Sequence, residues 1–145
     1  MSSASSGPRR GILDTSTVIL LSRLTDPGVL PDEPLITTIT LAELSVGPLV
    51  ASSARERAAR QAHLQQAESD FDPLPFDARA ARAFGRVAMD LRRSGRKPAA
   101  RSYDAMIAAI ALANELPLYT CNPGDFRGIG GLQVIPVPAP SHRDG

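Results

Sequence analysis

Short apolar runs of strand length alternate along this chain with longer segments whose apolar residues recur at helical spacing. Gly11–Leu24 (GILDTSTVILLSRL) sets the pattern. Ile12 and Leu13 lead to Asp14, the small hydroxyl residues Thr15 and Ser16 follow, and apolar positions resume at Val18, Ile19, Leu20, Leu21 and Leu24. A strand-length run, hydroxyl residues able to cap, then helical spacing predict strand, tight turn and helix. Thr25–Pro34 is rich in proline and acids and predicts a loop. Leu35–Thr38 (LITT) is β-branched and predicts a short strand. Thr40-x-x-Glu43 has the spacing of a capping box, which predicts a helix starting there and running to about Val50.

Ala54–Ser69 combines strong helix formers with polar residues on most faces, so an exposed helix is expected. Two prolines limit Phe71–Phe76 to a short edge strand or turn. Asp77 is placed to cap a long helix, Ala78–Ser94, which Gly95 ends before a basic loop at Arg96–Ala100. Ser102–Leu116 is the most apolar helix and is expected at the centre, its alanines allowing close approach. Leu118–Thr120 predicts a strand, Asn122, Pro123 and Gly124 a turn, Asp125 a short helical piece, and Leu132–Pro136 a last strand. Short strands alternating with helices imply an α/β domain with a mostly parallel sheet. Residues 11–137 are expected to form this one domain, with flexible tails at 1–10 and 138–145.

A net charge of +1 gives no general argument for a polyanionic partner. Lys97 is the only lysine among sixteen basic residues, and the rest are arginine, whose planar fork suits phosphate and carboxylate. Cys121 is alone, which excludes an internal disulfide and fits a reducing cytoplasm. No stretch approaches the ~20 apolar residues of a membrane span, and MSSASSGPRR lacks the apolar core of a signal peptide. A cytoplasmic protein without membrane contact is expected.

Four acids carry the candidate chemistry, and each also has an ordinary explanation. Asp14 is a good N-cap, Glu43 is the capping partner of Thr40, Asp104 is favourable in a helix's first turn, and Asp125 can begin a helical turn. Their joint placement argues further. Asp14 and Asp125 fall just past predicted strand ends, while Glu43 and Asp104 fall at helix starts. In a parallel sheet with right-handed crossovers, strand carboxyl ends and the following helix amino ends share one edge. Carboxylates gathered there repel one another, and hard divalent cations are the usual counter-charge. His63 and His142, in a polar helix and a tail, read as solvated residues, so zinc is disfavoured.

ILDTSTVI, TLAEL, RSYDAMIAAIA and YTCNPGDF together resemble the successive motifs of PIN-domain ribonucleases, in particular the VapC-type toxins of bacterial toxin–antitoxin pairs. The family pattern is met by Asp14, Glu43, Asp104 and Thr120/Asn122/Asp125, over roughly Gly11 to Pro136. The polar amino-terminal tail is extra, and Pro123-Gly124 is a departure in the loop carrying Asp125. The resemblance implies a PIN-like three-layer sandwich, a short central mostly parallel sheet flanked by helices. It further implies an endoribonuclease dependent on Mg²⁺ or Mn²⁺. Asp14, Glu43, Asp104 and Asp125 are the expected catalytic set. Asp14, Asp104 and Asp125 would hold the ion, and Glu43 would orient or deprotonate water. Thr15, Ser16, Thr120 and Asn122 are expected to steady the carboxylates by hydrogen bonds. Arg101 and Arg127 flank the acids and are candidates for RNA phosphates, against the plainer reading of solvated arginines.

The resemblance also implies a cognate antitoxin protein and a homodimer. Val18, Leu21, Leu24 and Leu44 on the first two helices are candidate antitoxin contacts, against the alternative that they face the sheet. Two rival functions stand beside this one. A haloacid-dehalogenase-like phosphatase would need an acid two residues after Asp14, where Ser16 stands. A PIN-fold interaction module without catalysis would have no need of all four acids.

Overall fold

The computed structural model describes Gly7, residues 9–97 and residues 101–140. Residues 1–6, 8 and 141–145 of the expected tails, with His142, and residues 98–100 of the expected basic loop lie outside the described residues. Four strands form one parallel sheet: β1 (Arg10–Leu13), β2 (Glu33–Leu35), β3 (Leu118–Thr120) and β4 (Val134–Pro136). Their order is β2-β1-β3-β4. Among the described residues five α-helices accompany them: α1 (Thr15–Leu20), α2 (Thr38–Val46), α3 (Ala54–Asp70), α4 (Ala78–Arg93) and α5 (Ser102–Ala113).

Successive strand residues face opposite sides of a sheet, and the two central strands use this to build two cores. Ile12 pairs with Leu118, and both enter one apolar cluster with Val87 and Leu91 of α4 and Ile107 and Ile110 of α5. Leu13 pairs with Tyr119, and both enter the other cluster with Val18, Ile36, Leu44 and Ala67. The result is the expected three-layer α/β arrangement. Ala80, Ala83, Val87 and Leu91 are the buried stripe of α4, at helical spacing. On α5, Ala105 and Ile107–Ala111 are all buried, so it is covered nearly all round, as its composition requires. Gly11 has no alternative in β1, because a Cβ there would run into the Tyr119 ring.

Several element ends differ from expectation. The first helix stops at Leu20 and tightens into a 3₁₀ turn at Leu21–Arg23. The second strand is Glu33–Leu35 rather than Leu35–Thr38; β2 is at the sheet edge, where Pro34 is tolerated. Leu74 contributes only an isolated bridge to Thr37. The last helix ends at Ala113, followed by Glu115 at φ 54, a left-handed turn that stops it.

The capping-box reading of Thr40 and Glu43 is wrong. Thr37, extended at φ −114 and ψ 164, is the N-cap of α2, and its side chain accepts from the Thr40 N–H at 3.2 Å. Thr40 lies inside the helix and is fully buried. Chain entry into α2 is therefore set three residues earlier, which carries Glu43 into the helix's second turn and frees its carboxylate for other contacts. Replacing Thr37 with alanine removes this cap and should lower unfolding free energy by about 1 kcal/mol. Urea unfolding of Thr37→Ala checks this, with exposed Ser45→Ala as a near-neutral control; equal loss in both would reject Thr37 as the cap.

Candidate active site

Asp14 follows β1 directly and sits at the carboxyl edge of the sheet beside the end of β3. It does cap α1, accepting from the Thr17 N–H at 3.2 Å, so the ordinary reading of Asp14 is correct as far as it goes. Capping uses one direction at one oxygen, however, and the residue is only 4% exposed. The Thr17 hydroxyl also donates to Oδ1. Oδ2 accepts from Thr120 Oγ1 at 2.7 Å and from Ser16 Oγ at 3.3 Å.

Each of these three hydroxyls is itself an acceptor. Thr17 Oγ1 accepts from the Cys121 N–H at 3.0 Å, Thr120 Oγ1 from the Asn122 N–H at 2.9 Å, and Ser16 Oγ from Asn122 Nδ2 at 2.9 Å. A hydroxyl has one proton to give. With N–H groups on its lone pairs, each hydroxyl turns its proton onto Asp14. Thr17 is absent from the sequence-based set, although the run Asp-Thr-Ser-Thr held the signal: a third hydroxyl one residue after the pair.

Glu43 projects from α2 toward the same edge and accepts a hydrogen bond from Thr15 Oγ1 through Oε1. Thr15 and Thr40 hydroxyls lie 2.9 Å apart. Since Thr15 gives its proton to Glu43, Thr40 must be the donor in that pair. Burial is the main cause that raises the Glu43 pKa, the Thr15 bond opposes it, and the Asp14 charge adds to the rise. Thr15 and Thr40, rather than a helix N–H, are therefore what hold this carboxylate.

Asp104 lies in the first turn of α5. Its pKa is pushed up to about 6, mainly by burial, then by the charges of Asp125, Asp14 and Glu43, with Arg101 pulling the other way. Asp125, Asp14 and Glu43 thus all lie within electrostatic reach of Asp104, and Asp14 within reach of Glu43. Asp125 sits in a 3₁₀ turn, Pro123–Phe126, immediately after β3. Arg101 Nη1 lies 3.0 Å from Asp125 Oδ1 and 3.8 Å from Asp104 Oδ2.

Arg101 is thus drawn between two of the acids, whereas Arg127 is exposed and has no ion pair among the described residues. Among the described residues no three acidic, imidazole or thiol groups are gathered as closely as in a formed metal centre. The cation that bridges Asp104 and Asp125 is a guanidinium.

Val18 and Leu21 line an apolar groove between α1 and α3, with Ala67, Phe71 and His63. Leu44 lines the adjoining cleft that reaches Thr15 and Glu43, and Leu24 lines a separate one beside Pro138–Pro140. His63, expected in solvent, is half-buried where the groove and the Glu43 cleft meet.

The raised pKa of Asp104 has a signed consequence for stability. A folded-state value above the unfolded one means that the folded chain holds this proton more tightly. Its contribution is fully present below the ordinary aspartate value of 3.8 and is lost as pH rises through about 6. Glu43 acts in the same direction. In EDTA, the parent should therefore lose melting temperature relative to Asp104→Asn as pH rises from about 4 to about 6, and the difference should level off above that. At pH 7 the variant should be at least as stable as the parent. Parallel curves, or an asparagine variant less stable at pH 7, would mean that Asp104 serves only the helix dipole.

Comparison with known proteins agrees with this geometry. The family model described as PIN domain matches residues 12–132. Ribonuclease VapC5 of Mycobacterium tuberculosis is 38% identical over 135 residues, spanning 92% of this chain and 97% of the relative. Ribonuclease VapC1 of Rickettsia felis is 30% identical over 129 residues, covering 87% and 95%. The crystal structure of VapBC-5, a toxin–antitoxin system of Mycobacterium tuberculosis, superposes with a TM-score of 0.77 at 39% identity, covering 90% of this chain and 100% of that one. DNA-bound VapBC from Salmonella typhimurium superposes at 0.65 and 26% identity, covering 87% and 96%. From its four-stranded parallel sheet to its carboxylate edge, this chain belongs to the PIN-domain family, in the branch of the VapC ribonucleases.

Proposed function

We propose that the chain is the toxin of a toxin–antitoxin pair, hydrolysing RNA phosphodiester bonds with Mg²⁺ or Mn²⁺ held by Asp14, Asp104 and Asp125. The observation that carries the reading is the convergence of Asp14, Glu43 and Asp125 on Asp104, whose charges add to burial in pushing Asp104 up to about 6. All donors are hard oxygens, which suits these ions, and the guanidinium between Asp104 and Asp125 marks a place where positive charge is already favoured. When bound, the ion would acidify a water and screen the scissile phosphate.

The chain's own residues do the rest. Thr17, Thr120 and Ser16 hold Asp14 in one orientation. Glu43 takes the proton of the attacking water. Thr15 engages its Oε1, and Oε2 has no hydrogen bond among the described residues. Its raised pKa brings it closer to the operating pH, as a general base requires. Asn122 locks Ser16 and Thr120 from the β3 side. Arg101 and Arg127 are the candidates for RNA phosphates; Arg101 would be released to that task once another cation takes its place.

The relatives solved as VapBC pairs are toxin–antitoxin complexes. We infer such a partner here, docking on the apolar groove of Val18, Leu21, Ala67 and Phe71. No helix among the described residues is long and apolar enough to cross a membrane, and the cytoplasm is the compartment this reading requires.

Cleavage of total RNA should vanish in excess EDTA and return with Mn²⁺. Undiminished cleavage in EDTA would reject the metal mechanism. Asp14→Asn should abolish cleavage, since the amide keeps the shape and removes the charge. Glu43→Gln should lower the rate by about 10²–10⁴-fold with little change in melting, because it removes a general base and no cap. A Gln variant as active as the parent would take the base role from Glu43. RNA binding should weaken as salt rises, through counterion release, and flat binding would exclude Arg101 and Arg127 as phosphate contacts.

A further inference from the structure

Arg96 carries no role in the chemistry set out above, yet it makes two hydrogen bonds to the main chain of the turn that bears Asp125. It leaves α4 just past Gly95, which turns the chain at φ +81. Its Nη1 donates to the Asp125 carbonyl at 2.7 Å, and its Nη2 donates to the Gly124 carbonyl. The 3₁₀ turn there has no side-chain cap, and Gly124 within it adds no side chain to restrict the main chain. The end of α4 grips the chain farther on as well. Asp90 Oδ2 accepts from the Gly130 N–H at 2.9 Å. Ser94 packs against Gly128, whose φ of +92 and lack of room exclude a Cβ. Three residues of α4 and its exit thus hold residues 124–130 from outside the site.

We propose that Arg96 is a positioning residue for Asp125. Its guanidinium spans two successive carbonyls, which a single-point donor does not do, and so sets the direction in which the Asp125 carboxylate leaves the main chain. Arg101 contrasts with it. Arg101 binds the Asp125 carboxylate and competes for its oxygens, while Arg96 binds the main chain and leaves both oxygens available. The inference rests on the reading that Asp125 helps to hold a divalent ion.

The two arginines make opposite predictions, which gives a test by sign. Removing a positive charge beside an acidic pocket strengthens cation binding if the arginine acts through charge. It weakens binding if the arginine holds a ligand in place, by about 10–100-fold for residues that orient metal ligands. Mn²⁺ binding to the full chain is read from the electron paramagnetic resonance of the free ion. Arg96→Ala should weaken it at least tenfold, whereas Arg101→Gln, the charge control, should tighten it. Arg96→Lys keeps the charge without the fork and should remain weakened. In an Asp125→Asn background, Arg96→Ala should cost nothing further, since the two act as one unit.

Unchanged or tighter binding in Arg96→Ala overturns the proposal, as does parental affinity in Arg96→Lys or a full loss persisting beside Asp125→Asn. If circular dichroism shows that the alanine variant does not fold, the lysine variant carries the same test. A parent that binds no Mn²⁺ removes the metal reading and this proposal with it. A parent that binds, with Arg96 variants that match it, removes this proposal alone.

Discussion

The contact between the ends of β1 and β3, made through Asp14, is the constraint on which the site depends. Main-chain pairing of these short strands ends at Leu13 and Tyr119, with a last bond from the Asp14 N–H to the Tyr119 carbonyl at 3.3 Å. Beyond it, the strands are tied by Thr17, Thr120 and Ser16 donating to one carboxylate while accepting from Cys121 and Asn122. Every group in this array has its partner, and among the described residues no buried side-chain nitrogen or oxygen is left without one. A buried charge satisfied in this way is held in one geometry, because any displacement strands several hydrogen bonds together. The residues that build the site are thus the residues that close the sheet.

Against this rigid corner the fold sets three further acids, and their electrostatics follow from topology. Parallel strands end at one edge, and α5 feeds β3, so its first turn returns to that edge with Asp104. Burial and like charge then both disfavour an ionised Asp104, and only Arg101 opposes them. A helix-dipole role alone would lower such a pKa rather than raise it. Desolvation and repulsion outweigh the dipole here, which marks Asp104 as a group placed at some cost to stability.

The element sequence and α/β class were legible because they rest on periodicity. Asp77 as the α4 cap and the bounds of β3 follow from local signals, and both agree with the structure. Thr40 and Glu43 show where local signals mislead. Thr37 and Thr40 are both plausible caps by type, and what separates them is the burial of Thr40 against Thr15, twenty-five residues away. The acids themselves stood out by residue type at strand and helix ends. Thr17 is not marked by residue type alone, because its role depends on the Cys121 N–H, which is distant in sequence. Arg96 left no trace in the sequence, since its partners are carbonyls of Gly124 and Asp125, which any residue type would offer.

The site is graded in stiffness, and the gradient matches what it would have to do. Asp14 is bound through both oxygens by side chains rooted in the sheet and α1. Glu43 is held through one oxygen from a helix. Asp125 has its carboxylate engaged only by Arg101 among the described residues, on a turn steadied from behind by Arg96. On the proposed reading, a divalent ion must replace a guanidinium between Asp104 and Asp125. The exchange is easiest where the carboxylate can reorient while its main chain stays put. A site rigid at Asp14 and adjustable at Asp125 meets both demands, provided that the turn itself is anchored, and the anchor lies outside the pocket at the end of α4.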